Sequence, residues 1–140
     1  MKEKSIPKPY LGLGALLNEG RYRIDGLLSD NDLVTGYAGY DIFRKKDVVI
    51  RELFPTAIVQ RAPGDDQGIS VKLLSDEVLF SSMKAHMIAR AKKLISLYPI
   101  ENAAGILSFF EENGTVYVIE ETMEGLMTLD GYLKKRHSAK

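Results

Sequence analysis

The stretch AGILSFFEENGTVYVIEE, residues 104–121, constrains the fold more than any other part of this chain. Two runs rich in β-forming residues flank Glu111-Glu112-Asn113-Gly114. Asn-Gly suits a tight hairpin because both residues tolerate positive φ, as the twist of paired strands requires. This part of the chain is therefore expected to be an antiparallel pair, and an antiparallel pair needs further strands or a helix to bury its apolar face.

The preceding sequence offers both. Tyr22 and Ile24 alternate with Arg21, Arg23 and Asp25, as in a half-buried strand. Asn18-Glu19-Gly20, between two short apolar runs, predicts a hairpin or tight turn before it, and the polar run SDND at 29–32 predicts a turn after it. LVTGYAGYDIF follows, then a turn at Lys45-Lys46-Asp47, then VVIRELF, which together read as a three-strand meander. Pro55 ends the last strand because proline cannot donate to a ladder. Residues 56–68 contain APGDDQG and read as loop, and ISVKL at 69–73 as a short extra strand.

The period then changes. Phe80, Met83, Met87, Ile88, Ala91, Leu94 and Ile95 recur at helical spacing, predicting a helix from about Asp76 or Ser81 to about Leu97. MTLDGYLKKRH predicts a short final helix with basic residues at its C-terminal end. The fold class is α+β: a five-stranded antiparallel sheet, one long packed helix and a short C-terminal helix. Residues 1–9 read as a flexible tail and 10–140 as one domain.

Composition narrows the function classes. Nineteen basic and nineteen acidic residues cancel, so nothing favours nucleic acid or an anionic membrane as partner. There is no cysteine, which excludes disulfides and thiolate metal sites. MKEKSIPKPY lacks the apolar core of a signal peptide, and no apolar run approaches the ~20 residues that span a bilayer. A cytoplasmic protein is expected. His86 and His137 have no second ligand at metal-binding spacing and read as surface residues. Asp30, Asp32, Asp65 and Asp66 read as turn chemistry. Met83 and Met87 read as core. Lys92-Lys93 and Lys134-Lys135-Arg136 read as solvated helix faces.

The order of elements, together with four stretches, resembles the N-terminal lobe of a bacterial-type protein serine/threonine kinase, from about Leu17 to Leu133. LNEGRYRIDGLL resembles the entry into the first strand, and GYAGYD the end of the second. VVIRELFP resembles the third-strand V-A-I-K motif with its E-F-F-P continuation. FFEENGTVYVIEETMEG followed by TLDGYLKK resembles the fourth and fifth strands, the hinge and the next helix.

The resemblance also implies a degenerate nucleotide site. The phosphate-covering G-x-G-x-x-G turn corresponds to residues 29–34, where Ser29, Asn31 and Val34 replace the glycines and two aspartates stand near the anion position. The third-strand lysine corresponds to Arg51, whose planar head is no conservative replacement, and the small alanine before it to Val49. The helix glutamate that would pair with the lysine corresponds to Arg90. Glu120, just before the hinge, is the expected replacement partner of Arg51. The expected pair is a buried salt bridge filling the empty nucleotide cleft, so Glu120→Leu is expected to destabilise strongly, by roughly 3–5 kcal/mol, and Arg51→Met/Glu120→Leu to recover much of it.

No H-R-D or D-F-G motif occurs in the chain. The expected function is a non-catalytic, pseudokinase-like module that binds a protein partner or itself, with no cofactor and with ATP disfavoured. Two alternatives are an N-lobe fragment of a longer kinase-like protein that still binds nucleotide, and a cleft that binds an anion or small molecule through Arg51 and Arg90.

Overall fold

The computed structural model describes residues 10–62, 67–97 and 105–122. The expected N-terminal tail and short C-terminal helix lie outside these residues, as do Asp65, Asp66 and His137. The elements run β1 (Leu16–Leu17), β2 (Tyr22–Asp30), β3 (Val34–Asp41), β4 (Lys46–Leu53), β5 (Val59–Arg61), β6 (Ile69–Val71), α1 (Glu77–Leu97), β7 (Ile106–Glu112) and β8 (Thr115–Glu121). A single 3₁₀ turn, Leu74–Asp76, leads into α1. One antiparallel sheet has the order β1-β2-β3-β4-β8-β7, and β5 pairs with β6 in a small second sheet.

The main sheet therefore has six strands rather than the expected five. The addition is β1, two residues folded back onto Tyr22 and Arg23. Asn18 and Glu19 at φ 54° and 56° and Gly20 at 85° make the intervening reversal, at the predicted turn. The Asn113-Gly114 turn is also as predicted: both residues have positive φ, 59° and 82°, and join Glu112 to its partner Thr115. β5 corrects the expectation of a continuous loop over 56–68, and the strand within ISVKL is β6. The turn expected at Lys45-Lys46-Asp47 falls earlier, and β4 begins at Lys46. The reason is Asp41: its Oδ1 accepts the backbone N–H of Phe43 and Arg44 at 3.0 and 3.1 Å. An aspartate that bonds its own following backbone starts a turn wherever it stands.

The sheet is strongly curled. Register shifts interrupt β2 between Ile24 and Gly26 and between Leu27 and Ser29, and extra residues of this kind increase local twist. The two ends of the sheet consequently meet. Asn18 N–H donates to Glu112 Oε1 at 2.7 Å, and the Tyr22 and Phe110 rings stack at 5.8 Å. The inner face carries Tyr22, Ile24, Tyr37, Val48, Ile50, Tyr117 and Ile119, all buried. α1 packs on the other face. Phe80, Met83 and Met87 meet Leu53 and Phe54, while Ala91, Leu94 and Ile95 meet Ile106, Val118 and Phe109. The helical face matches the predicted stripe, and the methionines contribute to the core. The helix starts at Glu77, between the two predicted starts.

A charged residue lies at the centre of the inner face. Glu52 follows Val48 and Ile50 in the alternation of β4 and is fully buried. Arg61 of β5 grips it with both ends of its guanidinium, Nη1 to Oε2 at 3.0 Å and Nη2 to Oε1 at 2.7 Å. The Tyr117 hydroxyl donates to Oε2 at 2.7 Å and the Tyr37 hydroxyl to Oε1 at 3.2 Å. Burial, with the Glu52 charge beside them, pushes both phenols well above their ordinary range, so both stay protonated donors.

Removing one member of this buried pair leaves an uncompensated charge. Arg61→Met is expected to lower unfolding stability in urea by about 3–5 kcal/mol. Glu52→Met/Arg61→Met is expected to recover more than half of that loss, because Leu11 and Asn113 still bond the two tyrosine hydroxyls. Asp41 gives a second test. Burial opposes its ionisation, but the Arg21 guanidinium and the Arg44 and Phe43 amides outweigh burial and hold the carboxyl below its ordinary value. Its stabilisation is then complete above about pH 4 and is lost as pH falls through the depressed folded value. Asp41→Asn is expected to cost ~1–2 kcal/mol at pH 7 and to converge on the parent stability at strongly acid pH.

Candidate functional site

The cleft lies between α1 and the outer face of the sheet. Alternation places Val34, Gly36 and Ala38 of β3 opposite Leu53, Arg51 and Val49 of β4 on that face. β8 adds Val118 and Glu120, which pair directly with Arg51 and Val49. Arg51 and Glu120 are thus diagonal cross-strand neighbours, a spacing that long side chains can bridge. They do: Arg51 Nε donates to Glu120 Oε2 at 2.7 Å.

The expected pair is present, but its setting differs from the expectation. Arg51 keeps 40% of its side-chain surface and Glu120 keeps 23%, so the pair sits at an open cleft mouth and not in a sealed core. The 3–5 kcal/mol expected for a buried pair does not carry over, because water solvates whichever partner remains. The rest of the Arg51 head crosses Gly36. A Cβ built on Gly36 would stand 3.4 Å from Arg51 Nη1 and 2.5 Å from Ser29 Oγ. A residue without a side chain at this point lets the guanidinium and Ser29 close over β3.

The turn between β2 and β3 is closed from within. Asn31 Oδ1 accepts the backbone N–H of Leu33 at 2.7 Å and of Val34 at 2.9 Å. Asn31 N–H donates to the Val34 carbonyl at 3.2 Å. The tip is also tied down: Phe54 N–H donates to the Leu33 carbonyl at 2.8 Å and Thr56 N–H to the Asp32 carbonyl at 2.9 Å. Asp30 takes the Tyr10 hydroxyl, and both aspartates are exposed. The Asn31 cap was missed in the sequence, although an Asn ahead of two amides is a known local bonding pattern.

The expected site residues therefore divide. Val34, Arg51, Arg90 and Glu120 line one cavity of about 750 Å³, with the helix residues Met83, His86, Met87 and Leu94. Val49 faces the same side of the sheet but is not among the residues that line the cavity. Ser29 and Asn31 belong to the turn at its edge. Arg90 lies on the exposed flank of α1 and forms no ion pair among the described residues. His86 is exposed on the same helix, and among the described residues no three metal-ligating side chains cluster. No helix among the described residues is long and apolar enough to cross a membrane.

No family model matches the chain, and no curated protein matches it. Eight chains of solved structures do. One is the apo form of PpkA-294, a fragment of a bacterial Ser/Thr kinase, with a TM-score of 0.72 and 24% identity over 82% of this chain. The likeness establishes the fold: a curled antiparallel sheet with one long helix, like a kinase N-lobe. The match takes in 39% of PpkA-294, so this chain spans about two fifths of that neighbour.

A solvent-exposed ion pair contributes little, so Glu120→Leu is expected to lower stability by no more than ~1 kcal/mol, and Arg51→Met/Glu120→Leu by no more than the single change. Thermal unfolding of the two variants beside the parent chain checks this. A loss near that of a buried pair would place Glu120 out of reach of water.

Proposed function

We propose that this chain is a non-catalytic, pseudokinase-like lobe that acts in signalling by binding another protein. One observation carries the reading. The groups a kinase lobe offers to nucleotide phosphates, the amides of the glycine turn and the cation of the third strand, are taken here by Asn31 and Glu120. Asp30 and Asp32 add negative charge beside that turn, which opposes a triphosphate. Exposed apolar residues support a protein partner: Leu73, Leu74, Val78 and Leu79 all face solvent at the start of α1, Leu74 and Val78 at 81%.

The share of PpkA-294 that is matched favours a second reading, a lobe of a longer kinase-like protein that gains nucleotide binding when its other lobe is present. Calorimetric titration with MgATP separates the two. On the first reading neither this chain nor any longer natural product containing it gives saturable heat up to about 1 mM. Binding by the longer product alone supports the second reading. Micromolar binding by this chain overturns the first outright.

A further inference from the structure

The cavity under α1 has a chemistry of its own. Its walls are mainly apolar, formed by Leu53, Met83, Met87, Leu94, Ile106 and Val118. The charged side chains among its lining are Arg51, Arg90 and Glu120, two cations and one anion, which leaves one net positive charge. Arg51 and Glu120 bond each other. The remaining charge therefore resides on Arg90, which forms no ion pair among the described residues. A concave, largely apolar space of about 750 Å³ with one convergent cation falls within the usual size and composition of small-ligand sites.

From this geometry we infer that the cavity binds an amphiphilic monoanion: an apolar chain or ring bearing one carboxylate, with the apolar body against the sheet and the carboxylate on Arg90. Charge complementarity selects the anion. A guanidinium offers paired donors that match a carboxylate, and the site presents one such head with no carboxylate partner among the described residues. The methionines suit an apolar body of variable shape, since their unbranched side chains repack readily. A nucleotide fits poorly, because the phosphate-facing turn is already bonded to Asn31. This site is separate from the proposed protein-binding role: it needs no partner, and its failure would leave the MgATP result untouched.

The probes are octanoate, octanol and octyltrimethylammonium, three ligands with the same chain and different heads. Each is titrated below its micelle concentration into the full chain carrying ¹³C-methyl methionine, with the methyl resonances followed by NMR. The expected result is saturable binding of octanoate that shifts Met83 and Met87 selectively. Its affinity should be about threefold to fivefold above that of octanol, as a solvent-exposed charge pair predicts, and further above that of the cation. Arg90→Gln, at an exposed helix position, should remove that preference, bringing octanoate to the affinity of octanol. The inference is overturned by unsaturable shifts, by equal affinity for octanoate and octanol, by shifts that spare Met83 and Met87, or by an Arg90→Gln chain that still prefers octanoate.

Discussion

Glu52 is the constraint on which the curled sheet depends. A carboxylate enclosed among Tyr37, Tyr117 and Ile50 would be intolerable alone, since an isolated buried charge costs many kcal/mol. It is tolerated because Arg61 meets it with two bonds and two tyrosines complete its shell. Those partners come from β3, β5 and β8, so the network holds only when the meander, the small second sheet and the C-terminal hairpin are all in place. The Arg61 head also lies 4.8 Å from the centre of the Phe54 ring, which ties β5 to the core beneath α1. A pair of this kind adds little net stability over an apolar substitute. Its effect is to make alternative registers expensive, because any slip of β4 by one residue would leave Glu52 facing the helix and Arg51 inside.

That alternation links the core to the cleft. β4 places Val48, Ile50 and Glu52 on one face and Val49, Arg51 and Leu53 on the other. Fixing Glu52 inward fixes Arg51 outward, opposite Gly36 and diagonal to Glu120. Two adjacent charged residues thus have opposite fates. Glu52 is sealed in a network that organises the fold, while Arg51 lies at an open mouth where its pairing is weak and can be exchanged.

The parts of this arrangement that were legible in the sequence are those set by local chemistry. The Asn-Gly hairpin, the Asn18–Gly20 reversal and the apolar stripe of α1 follow from turn residues and periodicity, and all three stand where expected. The Arg51–Glu120 pair was legible only through the kinase-lobe resemblance, because nothing in the local pattern joins residues so far apart in the chain. The Glu52–Arg61 pair was not legible at all. Arg61 lies in a stretch whose neighbouring Pro, Gly and Asp residues dominate its reading as loop, and the three residues of β5 are too few for alternation to register. The hairpin reading at Asn18-Glu19-Gly20 already pointed to β1, whose two residues were left out of the count of five strands, and the turn after β3 was misplaced because the Lys-Lys-Asp run is conspicuous while the working residue is Asp41.

On the proposed reading, the magnitudes at the turn and at Arg51 set how strongly a phosphate is opposed there. For a phosphate to reach the Leu33 and Val34 amides it must displace two hydrogen bonds to Asn31, each worth about 1 kcal/mol. For it to reach Arg51 it must compete with a partly exposed ion pair worth at most ~1 kcal/mol. These losses sum to only ~2–3 kcal/mol, or about a hundredfold in affinity. On the proposed reading no single residue excludes the phosphate: Asn31 and Glu120 would act together with Asp30 and Asp32, each by a small amount. Arg90 stands outside that mutual satisfaction. Its head is held by no carboxylate among the described residues, so within that set the cationic group of the cleft left without a carboxylate belongs to the helix and not to β4.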